Sequence, residues 1–198
     1  MKISFIGTGL MGFPMAKNLL KKNLDLKIFS RTLEKSKPLE EFGGKIINSL
    51  SEAVIDSDII FTMLTDDDAV EKVLGNSDFL KNLKPSSTVI DMSSVKPKIA
   101  IKYGKLLKEN NVNFLDAPVS GGTIGAEQGN LAIMVGGDQK IFDNAIDVLK
   151  IMGNPTLVGP IGSGQISKLA NQIIVGVTIG AVAEAITLCE KAGVDGNK

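Results

Sequence analysis

From Lys2 to Ile6 apolar and polar residues alternate, and the run stops at Gly7, which reads as a short strand entering a turn. Met11, Met15, Leu19 and Leu20 then recur at helical spacing within Leu10–Lys22. Leu24–Phe29 reads as a second strand, Leu33–Phe42 as a second helix and Lys45–Ile47 as a short strand. Ser49 with Glu52 three residues on is the start signal of a further helix. Asp58–Leu64 is almost continuously apolar, as a strand covered on both faces must be. Val70–Leu74 reads as helix, Thr88–Asp91 as strand, and Pro97–Glu109 as a helix opened by proline. Asn113–Leu115 and Leu131–Val135 add strands, and Ile141–Met152 a helix. Strands and helices taking turns in this way predict an α/β fold built on a doubly wound, mostly parallel sheet of Rossmann type.

The pattern changes near Pro160, where Gly159, Gly162 and Gly164 mark a junction. We expect one unit over residues 1–161 and the start of another over 162–198. Gln165–Lys191 reads as one long helix, apolar nearly all round in its middle, from Ile173 and Ile174 through Val182 to Leu188. Such a helix must be covered on most sides. The expectation is that a second domain would begin there, or that another subunit of a homo-oligomer supplies the cover.

Composition narrows the field. Lys plus Arg and Asp plus Glu number 22 each, so bulk charge points to neither nucleic acid nor an anionic membrane. The apolar stretch after Lys2 is interrupted by three glycines, unlike an export signal. Ile173–Leu188 is short for a membrane span and carries Glu184. A single cysteine, Cys189, fits a reducing, cytoplasmic setting. The chain has no histidine, which excludes a histidine-based triad and the common zinc sites, and no metal is expected.

Gly7-Thr8-Gly9-Leu10-Met11-Gly12 places a GxGxxG between a strand and a helix. The first glycine permits the tight turn, the second lets a pyrophosphate reach the backbone, and the third lets helix and sheet pack closely. The free N–H groups at the helix start then hold the phosphates. Sites that prefer NAD place an acid at the end of the second strand for the ribose 2′-hydroxyl. Here the chain reads Ser30-Arg31-Thr32, with a guanidinium for a 2′-phosphate and two hydroxyls beside it. NADP is therefore the expected cofactor, with NAD as the other possibility.

Two more stretches carry chemistry. Asp116 through Ser120, Gly121 and Gly122 leaves a strand into a glycine-rich turn whose N–H groups and Ser120 hydroxyl suit a carboxylate, though the same spacing suits a turn without ligand. Asp116 itself reads as a structural or capping acid. Lys168 shares a helix face with Asn171 and Gln172, either as a site or as a solvated polar stripe.

Taken together, the segment from Phe5 to Leu19, the Asp116–Gly122 turn with its continuation through Gly137, and the helix of Lys168 resemble the β-hydroxyacid dehydrogenases. Ala170–Val175 is most like the tartronate semialdehyde (2-hydroxy-3-oxopropionate) reductase branch, beside that of 3-hydroxyisobutyrate dehydrogenase. The resemblance implies hydride transfer between NADP(H) and a small hydroxy acid or semialdehyde, with Lys168 as general acid/base. It implies that Ser120, Gly121 and Gly122 hold the substrate carboxylate, that Asn171 orients the reacting group with Gln172 also binding substrate, and that an all-helical C-terminal domain, missing here, follows the long helix. Met63, Leu64 and Ser94 would line the cofactor cleft. Gln172, where relatives often carry a second asparagine, and Thr65, where they often carry proline, depart from the family pattern. The absence of histidine sets aside 6-phosphogluconate dehydrogenase, which resembles this chain in fold. A non-catalytic NADP-binding module, or an inactive fragment, is the alternative function.

Overall fold

The structure, a computed structural model, describes residues 1–196. Asn197 and Lys198, the end of the expected second unit, lie outside the described residues. Nine strands form one sheet among the described residues: β1 (Lys2–Ile6), β2 (Asp25–Phe29), β3 (Lys45–Ile46), β4 (Ile59–Thr62), β5 (Thr88–Asp91), β6 (Asn113–Asp116), β7 (Val119–Ser120), β8 (Leu131–Gly136) and β9 (Gly153–Gly159). The helices are α1 (Gly12–Leu20), α2 (Leu50–Val54), α3 (Asp67–Leu74), α4 (Ser77–Asn82), α5 (Pro97–Glu109), α6 (Gly122–Gln128), α7 (Gln139–Leu149) and α8 (Ser163–Lys191).

The first six strands run parallel in the order β3-β2-β1-β4-β5-β6. This is the doubly wound order, with its crevice at the carboxyl ends of the strands, where the chain's direction of winding reverses. Beyond β6 the sheet turns antiparallel through β8 and β7, and β9 adds a parallel edge to β8. Period-2 alternation divides β1 between two cores: Ile3 and Phe5 pack with Leu19, Leu26, Phe61 and Leu131 on one face, and Ile6 packs with Ile60, Val70, Phe79 and Leu107 on the other. The fold class expected from the pattern is the one observed.

Four local readings differ. Leu33–Phe42 forms two short 3-10 turns rather than one helix. Pro38 removes a donor there, and Ser36 between the turns is buried, its hydroxyl 3.0 Å from that of Thr8. β9 was hidden by Gly153 and Pro155, which disfavour a strand; an edge position paired only to β8 tolerates them. Helix α4 is started by Asn76, whose Oδ1 accepts from the N–H groups of Asp78 and Phe79 at 2.9 and 3.0 Å. Helix α6 lies inside the glycine-rich turn itself, with Gly121 and Gly122 at φ +138° and +62° at its start.

Among the described residues, α8 is the one helix long and apolar enough to cross a membrane. Its first turn is locked to the sheet, and its only buried residues are Gly164 and Gln165. Ile173, Ile174, Val177, Ile179 and Leu188 are exposed.

The glycines of the first turn are not equivalent. A Cβ on Gly12 would lie 1.9 Å from the carbonyl oxygen of Gly7, backbone against backbone, while a Cβ on Gly9 would meet nothing within 4 Å. Gly12→Ala should therefore cost about 2–4 kcal/mol of stability or abolish soluble expression, whereas Gly9→Ala should melt within about 2 °C of the wild type. Thermal unfolding of the two variants side by side checks this, and equal melting points would contradict it.

Candidate active site

Three clefts open near the carboxyl ends of the parallel strands. The first, of about 220 Å³, is lined by Gly7, Thr8 and Gly9, by Ser30, Arg31 and Thr32 after β2, and by Met63 and Leu64 after β4. Lys35 and Lys72 complete its positive wall, and no acid is among its lining residues. Gly7 is confined: it sits at φ +99°, and a Cβ would come within 2.3 Å of the Met63 carbonyl oxygen. The open side of Gly9 is different, a gap that any side chain would fill, as close approach of a pyrophosphate to the backbone requires. The N–H groups of Leu10 and Met11 form no backbone hydrogen bond. Thr8 contributes main chain, since its buried hydroxyl is engaged by Ser36. Gly12 packs beneath the loop, and Leu10, exposed, borders a neighbouring cleft of about 600 Å³ with Lys17, Lys21 and Lys35. The residues present fit a dinucleotide.

A further cleft, of about 310 Å³, lies between α8 and the β5–α5 turn, lined by Ser94, Lys96, Lys168 and Gln172 among others. Ser94 is exposed to it, flanked by buried Ser93 and Val95. Lys168 is half-buried, and that burial pulls its ammonium below the ordinary lysine pKa. On the adjacent flank of α8, Asn171 Nδ2 donates to Ser120 Oγ at 3.1 Å, tying the helix to the turn of Gly121 and Gly122. A Cβ on Gly122 would meet nothing within 4 Å, so this turn too has an open face. Lys168 thus sits one turn before Asn171 and Gln172, between the end of β5 and the turn after β7. Gln172 falls on the β5 side and Ser120 with Asn171 on the other; they do not line one common cleft.

Buried groups fix this arrangement. Asp116 lies at the end of β6, its carboxylate accepting from the N–H of Gly162 at 2.7 Å and of Gln165 at 2.9 Å. It caps α8 from another element. Burial raises its pKa, with the helix N–H groups opposing. Asp91, its register partner on β5, is fully buried. Asp91 Oδ1 accepts from Thr62 Oγ1 at 2.8 Å and from the Ser93 N–H at 3.1 Å, while Oδ2 has no partner among the described residues. The Ser93 hydroxyl in turn accepts from the Leu64 N–H at 2.9 Å, so Asp91 ties together the strand ends that carry Met63, Leu64 and Ser94. Lys96 reaches back to Asp67 with its N–H at 3.0 Å and its ammonium at 2.6 Å, bridging the turns after β4 and β5. Sequence reasoning singled out none of Lys35, Lys72, Gln165, Asp91 or Lys96 as part of the site. Lys35, four residues after Arg31, was the one with a readable signal; Gln165 and Asp91 depend on partners 72 and 29 positions away.

A parallel sheet in this winding order, a glycine loop with an open phosphate face, and a lysine beside the strand ends define a nicotinamide-dependent oxidoreductase scaffold. Residues 2–166 match the family described as the NAD binding domain of 6-phosphogluconate dehydrogenase, and residues 162–198 the one described as NAD-binding of NADP-dependent 3-hydroxyisobutyrate dehydrogenase. The chain is 41% identical over 197 residues to 2-hydroxy-3-oxopropionate reductase of Escherichia coli, covering 98% of this chain and 67% of that protein. To a probable 3-hydroxyisobutyrate dehydrogenase-like mitochondrial protein of Arabidopsis thaliana it is 38% identical, covering 98% of this chain and 65% of the other. A solved Mycobacterium tuberculosis 3-hydroxyisobutyrate dehydrogenase with L-serine superposes with a TM-score of 0.93 at 33% identity, over 98% of this chain and 66% of that one. The chain therefore belongs to the β-hydroxyacid dehydrogenase family, spanning about two thirds of the length of these relatives.

Burial pushes the Asp91 carboxyl from its ordinary 3.8 up to about 6. A raised folded-state value means that the folded protein holds this proton more tightly than the unfolded chain. The stability it lends is complete below the ordinary value and is lost as pH rises through about 6. Asp91→Asn, neutral throughout, should gain about 2–3 kcal/mol on the wild type between pH 4 and pH 7. Acids with lowered pKa values, such as Asp58 and Asp67, are common to both proteins and cancel in the comparison. Urea unfolding at the two pH values measures the gain; a difference that does not vary with pH contradicts it.

Proposed function

We propose that this chain transfers hydride between NADP(H) and a small 3-hydroxy acid or its semialdehyde, with Lys168 as general acid/base. The observation that carries the reading is a half-buried lysine in one cleft with Ser94 of the β5–α5 turn, one turn from an asparagine bound to the Ser120 hydroxyl. When bound, the reduced nicotinamide supplies hydride to the aldehyde carbon. The protein's part is to place that carbon and to provide the proton. Ser120 and the open N–H groups of Gly121 and Gly122 hold the substrate carboxylate, and Asn171 sets the angle of the reacting group. Gln172 lines the Lys168 cleft from the β5 side, apart from Ser120 and Asn171. The Lys168 ammonium gives its proton to the carbonyl oxygen as the alkoxide forms, and in the oxidative direction the neutral amine takes it back. Burial suits the lysine to both tasks by bringing its ionisation nearer neutrality.

NADP is the cofactor we assign, on the three cations and the missing acid of the first cleft. Gly7 through Gly12 would seat the pyrophosphate, Ser30, Arg31 and Thr32 the 2′-phosphate, and Met63, Leu64 and Ser94 the nicotinamide half. Residues 1–161 would act as the cofactor unit, and 162–198 as the beginning of a second. The apolar middle of α8 suits cover by protein, from a second subunit or from further helices, because its buried and active-site polar groups lie in its first three turns. We place the protein in the cytoplasm, in solution.

Two measurements test this. Lys168→Ala should lower turnover of tartronate, methylmalonate or succinic semialdehyde by about 10²–10⁴-fold while the NADPH dissociation constant stays within about twofold. Retained turnover refutes the role, and no turnover even by the wild type, with NADPH bound, favours a binding module. In a fluorescence titration NADPH should bind at least about tenfold more tightly than NADH, and Arg31→Ala should erase most of that margin. Equal or tighter NADH binding by the wild type overturns the assignment.

A further inference from the structure

The first turn of α8 contains a buried amide that the proposed chemistry does not use. Gln165 is 1% exposed, one turn before Lys168. Its Oε1 accepts from the Val95 N–H at 3.0 Å, and its Nε2 donates to the Ser93 carbonyl at 2.8 Å. These partners leave no freedom in the amide's orientation, since a backbone N–H only donates and a carbonyl only accepts. Between them stands Ser94, the exposed residue lining the cleft with Lys168. The two bonds therefore straddle Ser94, which lines the cleft of Lys168, and they bind it to the helix turn that leads to the lysine.

We infer that Gln165 is a positioning residue: by clasping the backbone on both sides of Ser94 it sets the distance between the cofactor-lining strand end and Lys168. The inference rests on the reading of Lys168 as the acid/base. Asp116 holds the helix at its N-terminal N–H groups and the Asn171–Ser120 bond holds it beyond Lys168; Gln165 adds the anchor on the strand end that carries Ser94. Packing alone asks for no amide here. A methionine would fill a similar volume but would leave the buried Val95 N–H and Ser93 carbonyl without this partner.

Two substitutions separate positioning from packing. Gln165→Met removes both bonds at nearly constant volume. Gln165→Glu is an isostere whose competence depends on pH. As a neutral acid its O–H replaces the amide donor to Ser93 while its carbonyl oxygen still accepts from Val95; as a carboxylate it faces the Ser93 oxygen without a donor. With Lys168→Ala run alongside, kcat, KM and the NADPH dissociation constant are measured from pH 5.5 to pH 8.

The expected result is a fall in kcat of about 10–100-fold for Gln165→Met at every pH, with the NADPH dissociation constant within about threefold of wild type. Gln165→Glu should match it at pH 8 and recover toward the wild-type rate as pH falls. A side chain that merely fills space predicts no such recovery. The inference is overturned if both Gln165 variants keep kcat within about threefold of wild type while Lys168→Ala is inactive. Failure of Gln165→Glu to recover at low pH overturns it as well. Turnover surviving in Lys168→Ala strikes instead at the acid/base reading on which the inference stands.

Discussion

Two buried side chains, Asp116 and Gln165, join the N-terminus of α8 to the ends of β6 and β5. The rest of the candidate site depends on this junction. The strands bring the glycine loop, the Arg31 turn and Ser94 to one rim of the sheet, but Lys168 and Asn171 belong to a helix that begins after the last strand. Without a fixed seat for that helix, its polar residues would have no set relation to the rim. Asp116 neutralises the exposed N–H groups of the first turn, where the helix dipole favours a negative charge. That interaction offsets part of the cost of burying a carboxylate, which is why its pKa rises but its hydrogen bonds pull against the rise.

How much of this was legible in the sequence follows from how local each signal is. The glycine loop, the strands up to β6, the proline-opened α5 and the long α8 are written in short-range periodicity and turn chemistry, and the fold class followed from them. The segment 33–42 misled because Leu33 and Leu39 keep apolar spacing while Pro38 and the buried Ser36 divide it into two 3-10 turns. β9 misled in the opposite way: a glycine and a proline hid a strand that only its edge position permits. At the site, Arg31 and Lys168 could be singled out because each stands beside a recognisable motif. Asp91 could not, since its significance lies in Thr62 on another strand and in a burial that no local pattern announces. The amide of Gln165 reads in the sequence as one more polar residue after two glycines; only the closeness of Ser93 and Val95 gives it meaning.

The carboxyl ends of β4, β5 and β6 form a continuous polar seam. The Thr62 hydroxyl and the Ser93 N–H both donate to the Asp91 carboxylate, the Ser93 hydroxyl accepts from the Leu64 N–H, and Asp91 stands beside Asp116 in register. Buried polar groups of this kind hold their partners more strictly than apolar packing does, because each bond lost leaves a desolvated group behind. The seam is thus a rigid ledge under a rim whose outer residues, Arg31, Ser94 and Lys96, are exposed.

Helix α8 has 29 residues, so it extends about 43 Å from its anchored first turn. Lys168 stands only about 8 Å along that rod, roughly a fifth of the way to its far end. The geometry is that of a long arm on a fixed bearing. Swinging of the distal end reaches the lysine reduced about fivefold, so whatever grips the apolar tip can shift by an ångström or two while the amine moves by a few tenths.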